Sequence, residues 1–330
     1  MALAFCTIVT PDYLPFALTL GESVREWVPG SVLYILVSGE PEEMGGVSLP
    51  VADHVNLLTS TDLCCTPLGQ EAHDRYHGGN ANAYRWASKP SLMTHLLAQD
   101  GVTGVIFLDG DMLVTGDCSS LIEETLGASV LLTPHWNDKT PANPPSTFRD
   151  WFLFGLYNAG SVGATRAGLP ALEWWHRASI LDCTFDPSHG VFYDQRYLDL
   201  MPLLFDGVKV TSDRRFNVGG WRMDEFFSEC GGRWPLPIGE APVFMHFTRL
   251  CYVRLPGPSE RALRDYSERL SRNGLPYDFM EAIKTKRASV LLAEERLLRY
   301  QRSVWGRVRA ALGLGTRLRC LADAFRPSPR

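Results

Sequence analysis

The chain has 330 residues, 45% of them hydrophobic and 21% charged, and a net charge of −5. That is enough apolar chain for one large core with an appendage, and the mild acidity gives no global basis for binding nucleic acid. The eight cysteines form no C-x-x-C pair, and the adjacent Cys64-Cys65 is poor spacing for a disulfide or for zinc, so free thiols in a reducing, cytoplasmic setting are expected.

Ala2–Val9 is apolar, lacks a basic leader and is cut off by Pro11-Asp12, so it reads as a first strand and not as a signal peptide. Thr10–Tyr13 is a turn at its carboxyl end, and Leu14–Trp27 carries apolar residues at helical spacing. Val32–Val37 is a second buried strand, and this strand–helix–strand order predicts a right-handed crossover in a parallel sheet. Residues 39–82 hold short apolar pieces and a polar stretch, and are expected to loop over one edge. Tyr84–Gln99 is predicted to be one helix leading into a strand at Val105–Leu108, and Val130–Thr133 reads as a further strand. His135–Pro145 is a polar, proline-rich loop, and Leu156–Gly163 a small-residue strand or bend. Helices are expected over Ala167–Ile180 and over Asp194–Leu200, the latter ended or kinked by Pro202. Gly207–Thr211 is a short strand, Phe216–Trp221 a glycine-containing turn, and Pro242–Thr248 an apolar run with one histidine. From Ser259 the pattern is helical, with a break at Asn273–Pro276. A soft boundary at Pro256–Pro258 divides an α/β domain (1–255) from a helical, basic extension (256–330). No apolar run reaches membrane-spanning length.

The chemistry centres on Val105–Val114, where an apolar run ends in Asp109-Gly110-Asp111. Side chains at i and i+2 of an extended chain point the same way, so the two carboxylates converge just past a strand. Gly110 leaves room for a ligand to approach the backbone. Two carboxylates with an open front suit a hard divalent cation that keeps positions free for phosphate oxygens. Two chemistries use such a pair. In a haloacid-dehalogenase-type phosphatase the first Asp is a nucleophile, but that fold opens with its D-x-D strand and needs a second acidic motif that is missing here. In a nucleotide-sugar transferase the pair holds Mn²⁺ or Mg²⁺ against a diphosphate.

The order of further motifs favours the transferase. The first strand, the Thr10–Tyr13 turn, the helix before Leu-Asp-Gly-Asp-Met-Leu-Val, Tyr157-Asn-Ala-Gly-Ser-Val, Asp194-Gln195 and Phe244-Met-His246-Phe together resemble the glycogenin-like family of glycosyltransferases (family 8, with the lipopolysaccharide galactosyltransferases). The resemblance covers about residues 2–250 and implies the GT-A fold, a Rossmann-like mixed α/β sheet. It implies a hexosyltransferase that takes a nucleotide sugar, UDP-linked, and retains anomeric configuration. His246 then completes a metal set with Asp109 and Asp111, and its neutral imidazole suits manganese (Mn²⁺) better than Ca²⁺. Lys89 matches the family's basic residue on the helix before the D-x-D strand and is placed to add positive charge to a phosphate, with Arg85 on the same helical face. Thr10 and Tyr13 lie where open α/β sheets bind ligands, and Tyr13 can stack on uracil. Asn158 corresponds to a sugar-contacting residue. Asp194 and Gln195 correspond to the pair that faces the anomeric centre, and Asp194 also suits a helix N-cap. After His246 the family carries a Lys-Pro-Trp that reaches the diphosphate; here Arg249 or Arg254 is the only nearby substitute. No tyrosine is evidently placed for self-glucosylation. A catalytically silent sugar-nucleotide-binding scaffold on the same fold is the other class of reading.

The tail is the last feature. Residues 296–330 carry nine arginines and one acid, Asp323, a local charge of +8 that leaves −13 on residues 1–295. Apolar positions at Leu291, Leu298, Trp305, Val308 and Leu312 recur among the arginines. Such a helix can lie on the anionic inner surface of a membrane, which would suit a lipid-linked acceptor, or dock on the protein's own acidic body. A saccharide or protein acceptor fits the chemistry equally well.

Overall fold

The computed structural model describes residues 2–39, 53–141, 147–186, 188–232, 234–237, 239–248 and 258–285, with single positions at 288 and 299. Its first strand, β1 (Ala2–Val9), pairs in parallel with β2 (Leu33–Val37), and the amphipathic Leu14–Trp27 helix connects them. β2 in turn pairs in parallel with β3 (Val55–Thr59) at the sheet edge. The chain then crosses back, and β4 (Val102–Leu108) pairs in parallel on the other side of β1. Val105, Ile106, Phe107 and Leu108 of β4 are fully buried, each contributing about 1.5–3 kcal/mol through loss of apolar surface to water. This is why so short a run, flanked by glycines and acids, sits at the centre of the sheet.

β5 (Met112–Val114) leaves the main sheet at once. β6 (Val130–Pro134) and β7 (Tyr157–Thr165) complete the other half, with β7 inserted antiparallel between β4 and β6. β8 (Phe185–Asp186) and β9 (Val191–Phe192) form a small two-stranded pair. β10 (Lys209–Val210) ends the main sheet beside β6, and the seven-stranded order is β10-β6-β7-β4-β1-β2-β3. β11 (Val218–Gly219), β12 (Phe244–His246) and β5 make a second, three-stranded sheet. The architecture is a mixed α/β sheet, as the sequence implied.

The sheet order reverses between β1 and β4, the switch point at which the carboxyl ends of parallel strands leave an open crevice. The small residues of β7 are there for closeness. A β-carbon on Gly163 would lie 2.5 Å from Thr125 Oγ1, and one on Gly160 would collide with the Asp109 carboxylate.

Three expectations are corrected. Residues 53–82 are not loops. They supply the edge strand β3 and helices at Ser60–Cys64 and Pro67–Tyr76. The signal was a capping box between Thr59 and Asp62, then Thr66 capping a helix with Pro67 at its start. The single helix expected at Tyr84–Gln99 is two, Ala81–Ala87 and Lys89–Leu97, jointed at Ser88. Pro90 has no N–H and its ring would clash with the carbonyl of residue 86, so the chain restarts with Pro90 in the first turn of the new helix. Beyond Asp194 the chain forms a 3-10 turn (Arg196–Leu200), and Pro202 starts the next turn, Met201–Leu204, where the expectation had it end a helix.

The chain divides into two compact units, Met1–Leu275 and Pro276–Arg330. The boundary expected at 255–256 lies outside the described residues. The Pro258–Arg272 helix belongs to the first unit, where Arg269 forms a two-pronged ion pair with Glu26 at 2.9 and 3.0 Å. In the second unit Asp278 caps a helical turn by accepting from the backbone N–H of Met280 at 2.8 Å. Most of the basic tail lies outside the described residues. Among the described residues no helix is long and apolar enough to cross a membrane, and Cys6, Cys65, Cys118 and Cys183 carry free thiols.

Gly116 controls the approach of the second sheet. A β-carbon there would sit 2.6 Å from the carbonyl oxygen of Pro242, which is backbone and has no freedom to yield. Gly116→Ala is expected to lower stability by about 1–3 kcal/mol in urea denaturation, with an unchanged slope.

Candidate functional site

Asp109 follows β4 directly, and its backbone N–H donates to Gly160 O at 2.8 Å. The bend at Gly110 lies against β1, since a β-carbon there would be 2.6 Å from Val9 Cγ1. The neighbouring strand of the protein therefore itself requires a glycine here. The bend carries Asp111 to the start of β5. β12 pairs antiparallel with β5 so that His246 lies opposite Met112, and the N–H of Phe247 donates to Asp111 O at 2.8 Å. Two chain segments far apart in sequence thus bring His246 Nε2 to 3.1 Å from Asp111 Oδ1 and 4.0 Å from Asp109 Oδ2.

The ligand atoms of Asp109, Asp111 and His246 all lie within 4.8 Å of one another. Two carboxylates and an imidazole gathered this closely would suit a divalent cation. The electrostatics agree with the geometry. Burial disfavours the His246 imidazolium, but Asp111 and Asp109 outweigh it and raise its pKa. Burial likewise opposes the Asp111 carboxylate, but His246 and Arg85 prevail and lower its pKa. The concavity therefore favours positive charge, and the residues present fit a divalent cation.

His246 is aimed by amides behind it. Its Nδ1 lies 3.2 Å from Asn158 Nδ2 and 3.4 Å from Asn217 Oδ1. The two contacts belong to different tautomers: Nδ1–H donates to Asn217 Oδ1 in the one that turns the Nε2 lone pair toward the carboxylates, and Nδ1 accepts from Asn158 Nδ2 in the other. Asn217 is fully buried at φ +57°, in the left-handed region that asparagine tolerates better than most residues, and its Nδ2 donates to Pro134 O at 3.2 Å. Nothing in the sequence singled out Asn217. An Asn at a turn adjoining Gly219-Gly220 was the available signal, and it pointed only to backbone conformation. Asn158, expected at sugar hydroxyls, is buried beside Asn217, where its Oδ1 accepts from Gly160 N at 2.7 Å.

Lys89 is the main change from the sequence reading. Its side chain is 4% exposed, and its ammonium lies 3.2 Å from Asp109 Oδ1, 3.3 Å from Asp194 Oδ2 and 3.1 Å from Ala159 O. The ammonium donates to the Ala159 carbonyl and is ion-paired with both carboxylates. Lys89 lies beneath the carboxylates instead of facing an open phosphate position. Burial penalises its charge, yet Asp109 and Asp194 hold its pKa above the ordinary lysine value. Asp194 is 3% exposed; burial raises its pKa, with Lys89 opposing. Its backbone carbonyl accepts from Trp175 Nε1 at 2.8 Å, which locks the strained segment around it. Gln195 acts on backbone: its Oε1 accepts from Ala159 N at 3.0 Å and its Nε2 donates to Phe154 O at 2.9 Å.

Arg85 stands on the Ala81–Ala87 helix with its guanidinium 5.9 Å from the Tyr13 ring and 5.5 Å from the Trp86 ring. It acts on both Asp111 and Lys89 through its charge, and its Nε has no hydrogen-bond partner. Tyr13 also stacks on Phe16 at 4.8 Å. The Thr10 hydroxyl donates to Asp12 Oδ1 at 2.5 Å. Arg249 and Arg254 lie outside the described residues.

No family model matches the chain. The chain is 28% identical over 257 residues to the uncharacterized protein YfnF of Bacillus subtilis (strain 168), covering 75% of this chain and 82% of that protein. Among solved structures it is similar to a galactosyltransferase, LgtC, in complex with donor and acceptor sugar analogs, at 13% identity and a TM-score of 0.48, over 84% of this chain and 99% of that one. It is also similar to mouse xyloside xylosyltransferase 1 in its apo form, at 15% identity and a TM-score of 0.45, over 77% and 99% of the two chains. At these levels of likeness the chemistry has to be read from the site itself.

Two outcomes test this arrangement. Lys89→Met leaves two buried or half-buried carboxylates without their cation, and is expected to cost about 3–5 kcal/mol at pH 7 in chemical denaturation. Asp194 has a raised folded-state pKa, so its protonation relieves part of that penalty, and the gap to the wild type narrows as pH falls toward 5. Asn217→Gly keeps the left-handed backbone but deletes the amide behind His246. Calorimetric titration with Mn²⁺ is expected to show an affinity about 10-fold weaker, beside a loss of stability of about 1–3 kcal/mol from the unpaired Pro134 carbonyl.

Proposed function

We propose that this chain is a glycosyltransferase of the GT-A type that moves a hexose from a nucleotide sugar, UDP-linked, to an acceptor hydroxyl with retention of anomeric configuration. The observation that carries the reading is the placement of Asp109, Asp111 and His246 at the sheet's switch point, joined through Lys89 to the buried Asp194.

The leaving group of such a donor is a nucleoside diphosphate, on which negative charge grows as the glycosidic bond breaks. Asp109, Asp111 and His246 would hold Mn²⁺ or Mg²⁺, and the bound cation neutralises that charge as a Lewis acid. Arg85 adds a second positive charge on the same side, where its charge already acts on Asp111. Thr10 and Tyr13, at the end of β1, take the nucleobase. Tyr13 offers a ring already stacked on one side by Phe16, so little side-chain entropy is lost when a base binds.

Asp194 lies on the far side of the Lys89 ammonium from Asp109. Its carboxylate is placed to stabilise positive charge developing at the anomeric carbon, and Lys89 fixes its position. Asn158 and Gln195 act one layer back: the first aims His246, and the second ties Ala159 to Phe154. In the transfer, the bond from anomeric carbon to phosphate oxygen breaks with its electron pair staying on the diphosphate. The acceptor oxygen bonds to that carbon, and its proton passes to an oxygen of the departing diphosphate. A cytoplasmic setting, with the basic tail in peripheral contact with an anionic membrane, is consistent with a lipid-linked acceptor, but a free saccharide or a protein hydroxyl is chemically equivalent.

The deciding experiment is Mn²⁺-dependent hydrolysis of a panel of sugar nucleotides, followed by release of the nucleoside diphosphate. One donor is expected to turn over slowly in the absence of acceptor. Asp111→Asn should lower that rate by at least about 100-fold. Donor binding without turnover in the wild type would support the silent scaffold instead, and neither binding nor turnover would remove the transferase reading.

A further inference from the structure

The turn that delivers Asp194 to Lys89 is built on a residue type that rarely occupies such a position. β9 ends at Phe192, and the backbone N–H of Gln195 returns to Phe192 O at 3.0 Å, so residues 192–195 close a tight turn. Tyr193 is its second residue and stands at φ +48°. A left-handed residue inside a turn is ordinarily glycine or asparagine, because a β-carbon there is crowded by the following carbonyl oxygen. A bulky side chain persists in that conformation only where its surroundings enforce it, and such enforcement clusters at functional sites.

The ring of Tyr193 supplies the enforcement. Its centroid is 4.0 Å from that of Trp86 and 5.0 Å from that of Phe192, and it stacks on Phe185 at 6.0 Å with an interplanar angle of 29°. Trp86 and Tyr193 both pack against the buried Ala83, Ala87 and Cys183. The ring is therefore wedged between the Ala81–Ala87 helix and the β8–β9 pair. Hydrogen bonds fix the chain on both sides of it. The Tyr193 N–H donates to Thr184 O at 2.8 Å, and Asp194 O accepts from Trp175 Nε1 at 2.8 Å. Between these anchors the Asp194 carboxylate leaves the turn toward the Lys89 ammonium, 3.3 Å away.

We infer that Tyr193 is a positioning residue: its wedged ring enforces the left-handed turn that aims the Asp194 carboxylate at Lys89. Glycine at 193 would permit the same turn without strain, but it would permit many others too, and the carboxylate would no longer be held. A strained tyrosine is kept where a relaxed glycine would fit because the ring ties the turn to its neighbours. The wedge also joins Asp194 to the helix that carries Arg85, so the two sides of the site keep a fixed spacing. The consequence for sugar transfer rests on the transferase reading; the aiming of Asp194 does not.

The test is a double-mutant cycle between residues 193 and 89 in urea denaturation of the full chain. Lys89→Met strips Asp194 of its cation while the wild-type turn keeps the carboxylate buried. In a Tyr193→Gly background the turn can relax and let Asp194 reach water, so the loss in folding equilibrium constant caused by Lys89→Met is expected to shrink by about tenfold or more. Tyr193→Phe keeps the ring and is expected to restore the full loss. A ring that served packing alone would make the losses additive. Tyr193→Asn tolerates the left-handed backbone without the ring and gives the same reading if Tyr193→Gly does not fold. In sugar-nucleotide hydrolysis, Tyr193→Gly is expected to lower kcat by about tenfold or more with the donor KM within about twofold of the wild type, and Tyr193→Phe to recover most of that loss. An additive cycle, or an unchanged kcat in a folded Tyr193→Gly protein, would overturn the proposal. Absence of turnover in the wild type would instead remove the transferase reading, and the cycle alone would then decide whether Tyr193 aims Asp194.

Discussion

The buried ammonium of Lys89 is the interaction on which this site depends. Asp109 and Asp194 both pair with it, the first from a strand end and the second from an irregular segment. Burial raises the pKa of Asp194, Lys89 opposes that, and the charge of Asp109 adds to it. A single cation between the two carboxylates, with an N–H donated to Ala159 O, allows both to keep a fixed position. The arrangement is costly to assemble, because all partners lose water, and it is repaid only when every hydrogen bond is made. That condition explains the surrounding detail: the Trp175 bond to the Asp194 carbonyl, the Gln195 bonds to the Ala159 and Phe154 backbone, and the glycine at 160 that lets β7 approach Asp109.

Charge balance at the mouth follows from the same contact. Lys89 compensates one carboxylate's worth of charge below, and Asp111 with the outward oxygen of Asp109 remains for a cation above. His246 joins them from a different sheet, held by the β12–β5 pairing and by the amides of Asn158 and Asn217. The Asp109, Asp111 and His246 group is thus built where two sheets meet. A proposed cation site gains from such support, because its ligands are held apart.

Much of this was legible in the chain. The apolar run into Asp109-Gly-Asp111 predicts a strand end with two convergent carboxylates, and Ala2–Val9 and Leu14–Trp27 appear where their patterns place them. The motif order singled out Asp194 and His246, and both are brought to the site. Other features were hidden. β3 is an edge strand with few buried residues, so it lacks the apolar run that marks its neighbours. The break before Lys89 was written in Pro90, but helical periodicity on both sides concealed it. Asn217 and Gly160 have no local pattern, because what matters about them is which atoms lie across from them.

The sequence by itself determined which residue types could do the chemistry, and roughly where the strands that carry them begin and end. Periodicity, turn residues and a D-x-D after an apolar run are local properties, and local properties survive in one dimension. Only the tertiary structure decided direction. Lys89 could have reached outward to a phosphate, and it turns inward because two carboxylates and a carbonyl there satisfy it better than an exposed position does. Asn158 could have met a sugar, and it supports His246. Gly110 could have admitted a ligand, and it admits Val9. In each case the choice was made by partners distant in the chain, and a buried charge or a crowded backbone takes its orientation from those partners.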